Sequence, residues 1–163
     1  MLKNMFKKSN PKSEIYAPVN GKIVPIEDVP DPVFSQKMMG EGIAIIPSEG
    51  KAYAPVDGEV IQIPDTKHAI GIRADDGSEI LIHIGLETVS LDGQGFNVLV
   101  NTGDTVSVGQ PLMEFDLDYI KNHASDIITP IVITNSKDTD KNYTMTDEKE
   151  GKIGETVIIT ASS

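Results

Sequence analysis

Cysteine is absent from all 163 residues. Its absence excludes disulfides, thiolate metal sites and cysteine nucleophiles together. Tryptophan is absent too, and the aromatic residues are four phenylalanines and four tyrosines. Glycine (14) and proline (10) recur throughout, so short strands and turns are favoured over long helices. No apolar run approaches the roughly 18 residues that suggest a membrane span, which points to a soluble protein. Basic residues are outnumbered, 14 against 25 acidic ones, for a net charge of -11. Phosphates would be repelled by the body of such a chain, which argues against nucleic acid and for a basic protein partner. The N-terminus lacks the apolar core of a signal peptide, so the expected location is the cytoplasm. A chain of this length suits one domain.

What is present is unevenly distributed. The first thirteen residues, "MLKNMFKKSNPKS", carry Lys3, Lys7, Lys8 and Lys12 and no acid. Residues 1–13 read as a basic N-terminal tail ahead of a single domain over residues 14–163. Met1, Leu2, Met5 and Phe6 share the spacing of one helical face, enough for weak contact with a membrane surface, although so short a helix is marginal alone and a disordered leader is the plainer reading. Within the body a phrase returns: "APVNGKIVPI" at Ala17 recurs as "APVDGEVIQI" at Ala54. Each copy has Asn-Gly or Asp-Gly for a turn, followed by β-branched residues alternating with polar ones. More short strands lie in "TGDTVSVGQPLMEFD", "GIAIIP", "ITPIVIT" and "EGKIGETVII", and only "PVFSQKMMG" (from Pro32) and "DLDYIKNHA" (from Asp116) suit helical turns. The expected fold is all-β, an antiparallel β-sandwich or flattened barrel with an internal strand-turn-strand repeat and one or two short helical turns. Nothing resembles a βαβ unit, so a dinucleotide or P-loop fold is not expected.

One of only three histidines sits inside the apolar stretch "EILIHIGLETV". The segment "KHAIGIRADDGSEILIHIG" reads as a hairpin turning at Asp76-Gly77. A two-residue turn there sets Asp75 opposite Ser78, His68 opposite Gly85 and His83 opposite Ile70. His68 and His83 then become diagonal neighbours on one face, roughly 7 Å apart at the backbone. Thr66 keeps the same parity and offers a hydroxyl. A turn one residue longer would send the histidines to opposite faces. A lone histidine on an apolar strand is more often a satisfied core residue; two facing each other could hold two ligands of a metal, act as nucleophile and helper in phosphoryl transfer, or serve as a base. A metal needs a third ligand, and Gly85 stands where a His-x-His pair would supply it. No Gly-x-Ser-x-Gly elbow occurs. Histidine as nucleophile remains.

These residues also carry a resemblance. Through "APVNGKIVPIEDVPDPVFSQKMMGEGIAI", "APVDGEV", "TKHAIGI", "LIHIGLETVSLDGQGF" and "TPIVITN", from about Ile15 to Ile159, the chain resembles the glucose-type enzyme IIA of the bacterial phosphoenolpyruvate-dependent sugar phosphotransferase system. The resemblance implies an all-β cytosolic phosphocarrier, a phosphotransferase working through phosphohistidine. It would take a phosphoryl group from the histidine-containing phosphocarrier protein and pass it to the cysteine of a IIB domain of a sugar permease. His83 matches the phosphorylated residue, His68 its phosphoryl-stabilising partner and Thr66 the threonine hydrogen-bonded within the pair. No cofactor is implied, although members of the family sometimes share a zinc ion with a regulatory target through the two histidines.

Val33, Phe34, Met38, Met39 and Leu81 match the family's apolar rim, where partners dock, and flexible methionines suit a surface that fits more than one partner. Asp31 and Glu87 match acidic rim positions that would steer a basic donor. Glu87 departs from the aspartate of "GIDTV"-type members. His123, in "YIKNHAS", matches nothing functional and reads as a surface residue. With no permease or IIB segment in the sequence, a free-standing IIA component is expected. A non-catalytic binding module of the lipoyl or biotinyl type is the alternative suggested by "GDTVSVGQPL", but the hairpin turns lack the lysine that such modules carry.

Overall fold

Strands form where β-branched runs stand between the Gly-centred turns, and most are short. The computed structural model describes residues 12–162. In chain order the strands are β1 (Lys12–Tyr16), β2 (Gly21–Pro25), β3 (Glu41–Pro47), β4 (Lys51–Tyr53), β5 (Gly58–Gln62), β6 (Ala69–Ala74) and β7 (Glu79–His83). They continue as β8 (Phe96–Val98), β9 (Thr105–Val106), β10 (Pro111–Phe115), β11 (Thr129–Ile133), β12 (Asn142–Met145), β13 (Glu150–Gly151) and β14 (Val157–Ser162). The two helices fall in the two segments expected: α1 (Pro32–Ser35) and α2 (Leu117–His123). Each begins at an aspartate whose carboxylate accepts a backbone N–H one turn on, Asp31 from Val33 and Asp116 from Tyr119, as N-caps do. The expected leader is shortened by β1, which already contains Lys12 and Ser13; the apolar face of Met1, Leu2, Met5 and Phe6 lies outside the described residues.

Every strand pairing is antiparallel. An eight-stranded sheet has the order β13-β2-β3-β11-β7-β6-β5-β9, and two three-stranded sheets have the orders β1-β14-β12 and β4-β10-β8. One face of the large sheet carries Ile23, Ile43, Ile45, Val60, Ile70, Ile72, Ile80, Ile82, Ile131 and Ile133. These side chains form one core with Ile15, Ile158 and Ile159 of one small sheet and Phe96, Leu112, Met113 and Phe115 of the other. The molecule is thus a sandwich with an aliphatic centre, as the scarcity of aromatics and the alternation of the strands require.

The repeated phrase extends to the whole pairing pattern. From its edge inward the large sheet reads β13-β2-β3-β11 on one side and β9-β5-β6-β7 on the other, and each small sheet belongs to one half in the same way. The unit β4 to β10 is inserted between β3 and β11 of a second such unit, and the halves meet where Ile82 faces Ile131. Gly21 and Gly58 occupy equivalent places, opposite Pro47 and Ala74. A Cβ on Gly21 would lie 2.0 Å from the Ile46 carbonyl oxygen, and one on Gly58 would lie 2.1 Å from that of Arg73. Only glycine fits, which is why the turn-glycine of the phrase appears in both copies.

The β6–β7 hairpin differs from the expected pairing by one residue. Its loop is Asp75, Asp76 and Gly77: Ala74 N–H donates to Ser78 O and Gly77 N–H to Ala74 O, with Gly77 in the left-handed region at φ 91°. Asp76 accepts from both the backbone N–H and the hydroxyl of Ser78, and this local bonding favours the three-residue loop over the two-residue turn. His83 therefore faces Ala69, not Ile70, and His68 O accepts from Ile84 N–H, so Gly85 is not its opposite number. By alternation alone the two imidazoles would part. They do not, because His68 stands before β6 and follows Lys67, itself at φ 59°, and the pleat does not govern a residue outside the strand.

Candidate functional site

The outer face of the large sheet carries Val24, Ala44, Val132, Leu81 and His83. Its two halves are covered unequally. Between β2 and β3 the chain takes residues 26–40 to make its connection, and Ile26, Val29 and Phe34 from this segment pack on Ala44, Val132, Leu86 and Ile128, with Val24, Met39 and Leu81 partly buried around them. The equivalent connection between β5 and β6 is only residues 63–68, too short to make such a cover. His83 lies where the cover ends. Carrying the pairings from one half to the other makes Val132 its counterpart, since Val132 faces Gly42 as His83 faces Ala69. Val132 is fully buried and His83 is half-exposed. The duplication therefore yields one covered position and one open one.

At the open position the rings gather. The imidazoles of His68 and His83 meet edge to face, their centroids 4.8 Å apart at 79°, and the Phe34 ring stands 5.0 Å from that of His83 on another side. His83 Nδ1 is 2.8 Å from the carbonyl oxygen of Gly85. A carbonyl can only accept, so Nδ1 carries the proton and the lone pair is on Nε2. His68 Nδ1 is 2.7 Å from Thr66 Oγ1. When the hydroxyl donates there, the proton of His68 sits on Nε2 and can be offered to a group held by His83. The expected trio of Thr66, His68 and His83 is thus brought together, by a route other than the expected register.

Both histidines are held neutral. Burial, and then the neighbouring His83, lower His68 from its usual 6.5 to about 4. Burial also lowers His83, against the opposing pull of the Gly85 hydrogen bond and the Asp31 carboxylate. A neutral imidazole with a committed Nδ1 proton is a nucleophile at Nε2 near pH 7. Among the described residues no group of three or more His, Cys, Asp or Glu side chains is gathered for a metal. Two imidazoles are half of the tetrahedral set that zinc takes.

The rim residues divide. Val33 is 40% exposed and Met38 66%, on and just after α1, the helix whose Phe34 borders His83. Met39 and Leu81 are half-buried on the covering cluster. Phe34 is 4% exposed, packs in the covering cluster against the sheet and supplies a wall to His83. Asp31 is half-buried, caps α1 and acts on His83 through its charge. Glu87 is exposed, on backbone at φ 58°. His123 is exposed at the end of α2, where it stacks on Tyr119 at 4.1 Å with Nδ1 2.9 Å from the Tyr119 carbonyl oxygen, an arrangement that closes the helix C-terminus.

Two residues of the site escape a reading of the strand pattern. Gly85, at φ 74°, presents the carbonyl that sets the tautomer of His83, and Thr88 bonds the turn that holds it. The signal available was a glycine two residues after His83, since a left-handed turn there aims a carbonyl back at the last side chain of the strand.

Comparison with known proteins gives the family and the fold. Residues 13–139 match the model of a family described as phosphoenolpyruvate-dependent sugar phosphotransferase system, EIIA 1. The chain is 51% identical over 162 residues to the PTS system glucose-specific EIIA component of Staphylococcus aureus, covering 98% of this chain and 97% of that one. It is 50% identical to the protein of the same description from Staphylococcus epidermidis, with the same coverage. Among solved structures it is similar to the glucose permease IIA of Mycoplasma capricolum, with TM-score 0.83, 35% identity and coverage of 92% of this chain and 96% of that one. No described helix is long and apolar enough to cross a membrane.

Proposed function

Because the chain belongs to the EIIA 1 family of the phosphoenolpyruvate-dependent sugar phosphotransferase system, whose work is phosphoryl transfer in sugar uptake, we propose that His83 is its phosphoryl-carrying residue. The observation that carries this is the tautomer: Nδ1 of His83 is committed to Gly85 O, which leaves Nε2 with its lone pair beside a second imidazole. Nε2 attacks the phosphorus of a phosphohistidine on the histidine-containing phosphocarrier protein. The new N–P bond forms as the donor's N–P bond breaks, and the electron pair of the broken bond returns to the donor ring. His68, donating through Nε2–H, stabilises the phosphoryl oxygens during transfer. The phosphoryl group then leaves for the cysteine thiolate of a IIB domain, and His83 returns to its neutral Nδ1–H form. Phosphoryl transfer asks a protein mainly for positioning and charge stabilisation, so no cofactor is required.

On this reading residues 14–163 are one cytosolic carrier domain. Val33 and Met38 meet apolar surface on both partners, with Met39 and Leu81 beneath them, and Asp31 and Glu87 meet basic residues of the donor. The glucose specificity in the names of the staphylococcal relatives makes a glucose-type permease the natural acceptor. Zinc binding through His68 and His83 would need further ligands from a partner. The test is incubation with phosphoenolpyruvate, enzyme I and the phosphocarrier protein, followed by intact mass and peptide mapping at alkaline pH. One acid-labile phosphate on the peptide containing His83 is expected. No gain in mass would point to a binding module, and phosphate on His68 would overturn the assignment of roles.

A further inference from the structure

Thr88 is fully buried, and a buried hydroxyl costs stability unless it is hydrogen-bonded. Its bond is to the carbonyl of Ile84, 2.7 Å away. Packing alone would be served by valine, which has the same shape and no hydroxyl. The hydroxyl therefore acts on the Ile84–Gly85 peptide, the one immediately before the carbonyl that engages His83. The next peptide, Gly85–Leu86, is held from its other end, because Leu86 N–H donates to Asp126 O at 2.9 Å while Ser125 N–H returns a bond to Leu86 O. Asp126 is fixed in turn by its own carboxylate, which accepts Ile128 N–H. Both peptides flanking Gly85 are thus pinned. There is no slack for a larger residue either: a Cβ on Gly85 would lie 2.8 Å from both Asp126 O and Thr88 Cγ2.

A left-handed glycine is the joint of this turn that would otherwise swing most freely. If the Gly85 carbonyl turned away, His83 Nδ1 would lose its acceptor. The ring could then place its proton on Nε2, the atom that must attack. We propose that Thr88 is a positioning residue for phosphoryl transfer: with the Leu86–Asp126 bridge it clamps the turn so that the Gly85 carbonyl holds His83 in the Nδ1–H tautomer. This rests on the reading of His83 as phosphoryl acceptor, yet the tautomer can be observed without any phosphoryl transfer.

The experiment uses the full chain with nitrogen-15-labelled histidine. Long-range proton–nitrogen spectra of the unphosphorylated protein should show the wild-type His83 ring as Nδ1–H with a bare Nε2. In Thr88→Val the two nitrogen shifts should move together toward an averaged, mixed tautomer, and the turnover rate for phosphoryl uptake should fall at least tenfold with the KM for the phosphocarrier protein unchanged. Thr88→Ser, which restores the hydroxyl, should return both to wild type. A role confined to stability would lower the melting temperature and leave the shifts in place, and unchanged shifts in Thr88→Val overturn the proposal. Should that variant fail to fold, Asp126→Ala loosens the same turn from outside and must show the same displacement of the shifts; if it does not, the clamp is rejected. Displaced shifts in a protein that never takes phosphate on His83 would uphold the clamp and remove the carrier reading.

Discussion

At the scale of single residues, burial and one carbonyl divide the labour between two like side chains. His83 has its proton fixed on Nδ1 by Gly85. His68 is poised by Thr66 to donate from Nε2. His83→Gln should abolish labelling. His68→Gln keeps an amide donor, so it should still accept phosphate but pass it on poorly, because glutamine cannot alternate between charged and neutral forms as the group leaves; transfer to the IIB domain in single turnover measures the second step. The same burial predicts a pH dependence of folding. Unfolded histidine titrates near 6.5, and folded His68 titrates at about 4. Between these values the unfolded chain holds the extra proton, so the contribution is full above about pH 6.5 and is lost as pH falls toward 4, with a slope of at most about 1.4 kcal/mol per pH unit for one group. Urea unfolding at pH 7.5 and at pH 5 should show this decline, and the decline should be shallower in His68→Gln.

At the scale of elements, the segment of residues 26–40 both covers half of the outer face and forms the edge of the site. Ile26, Val29 and Phe34 point inward, and Val33 and Met38 point outward. Phe34→Ala should cost about 3–5 kcal/mol of stability, the usual loss for a buried phenylalanine, and should slow transfer by removing the wall against His83. Met38→Ser, at a side chain 66% exposed, should leave unfolding within about 0.5 kcal/mol of wild type while slowing transfer from the phosphocarrier protein. Equilibrium unfolding and transfer rates on the same two variants check both. A Phe34→Ala protein of unchanged stability but slowed transfer would place that residue on the docking surface alone.

At the scale of the whole molecule, the duplication explains both the architecture and its single active corner. Two seven-strand units share one central seam, and their differences lie in the connections. Because Gly21 and Gly58 meet equivalent backbone carbonyls at 2.0 and 2.1 Å, alanine at either must displace a neighbouring strand. Each substitution should lower the melting temperature by more than 10 °C, to a similar degree, as thermal scans of the two variants would show. A tolerated Gly21→Ala beside a disruptive Gly58→Ala would mean that the halves no longer share that constraint.

Much of this was legible before any coordinates, for reasons that act over short stretches of chain. Turn glycines, β-branched alternation and the repeated Ala-Pro-Val phrase specify antiparallel strands because backbone sterics and side-chain parity are local. The two short helices were legible as the segments that break the strand rhythm, while their aspartate caps are visible only in the structure. The pairing of His68 with His83 was inferred from a two-residue turn that the molecule does not make; Asp76 bonding to Ser78 lengthens the loop, and Lys67 in left-handed backbone brings His68 back to its partner. Tertiary structure alone decided that the Phe34 ring is buried against His83, that Val132 is the covered twin of His83, and that the Thr88 hydroxyl, five residues beyond His83, bonds the Ile84 carbonyl in the turn after it. Each of these depends on which distant segment lies over a given face. A local pattern specifies that a face is apolar or polar, but contacts from residues far along the chain determine whether that face is covered.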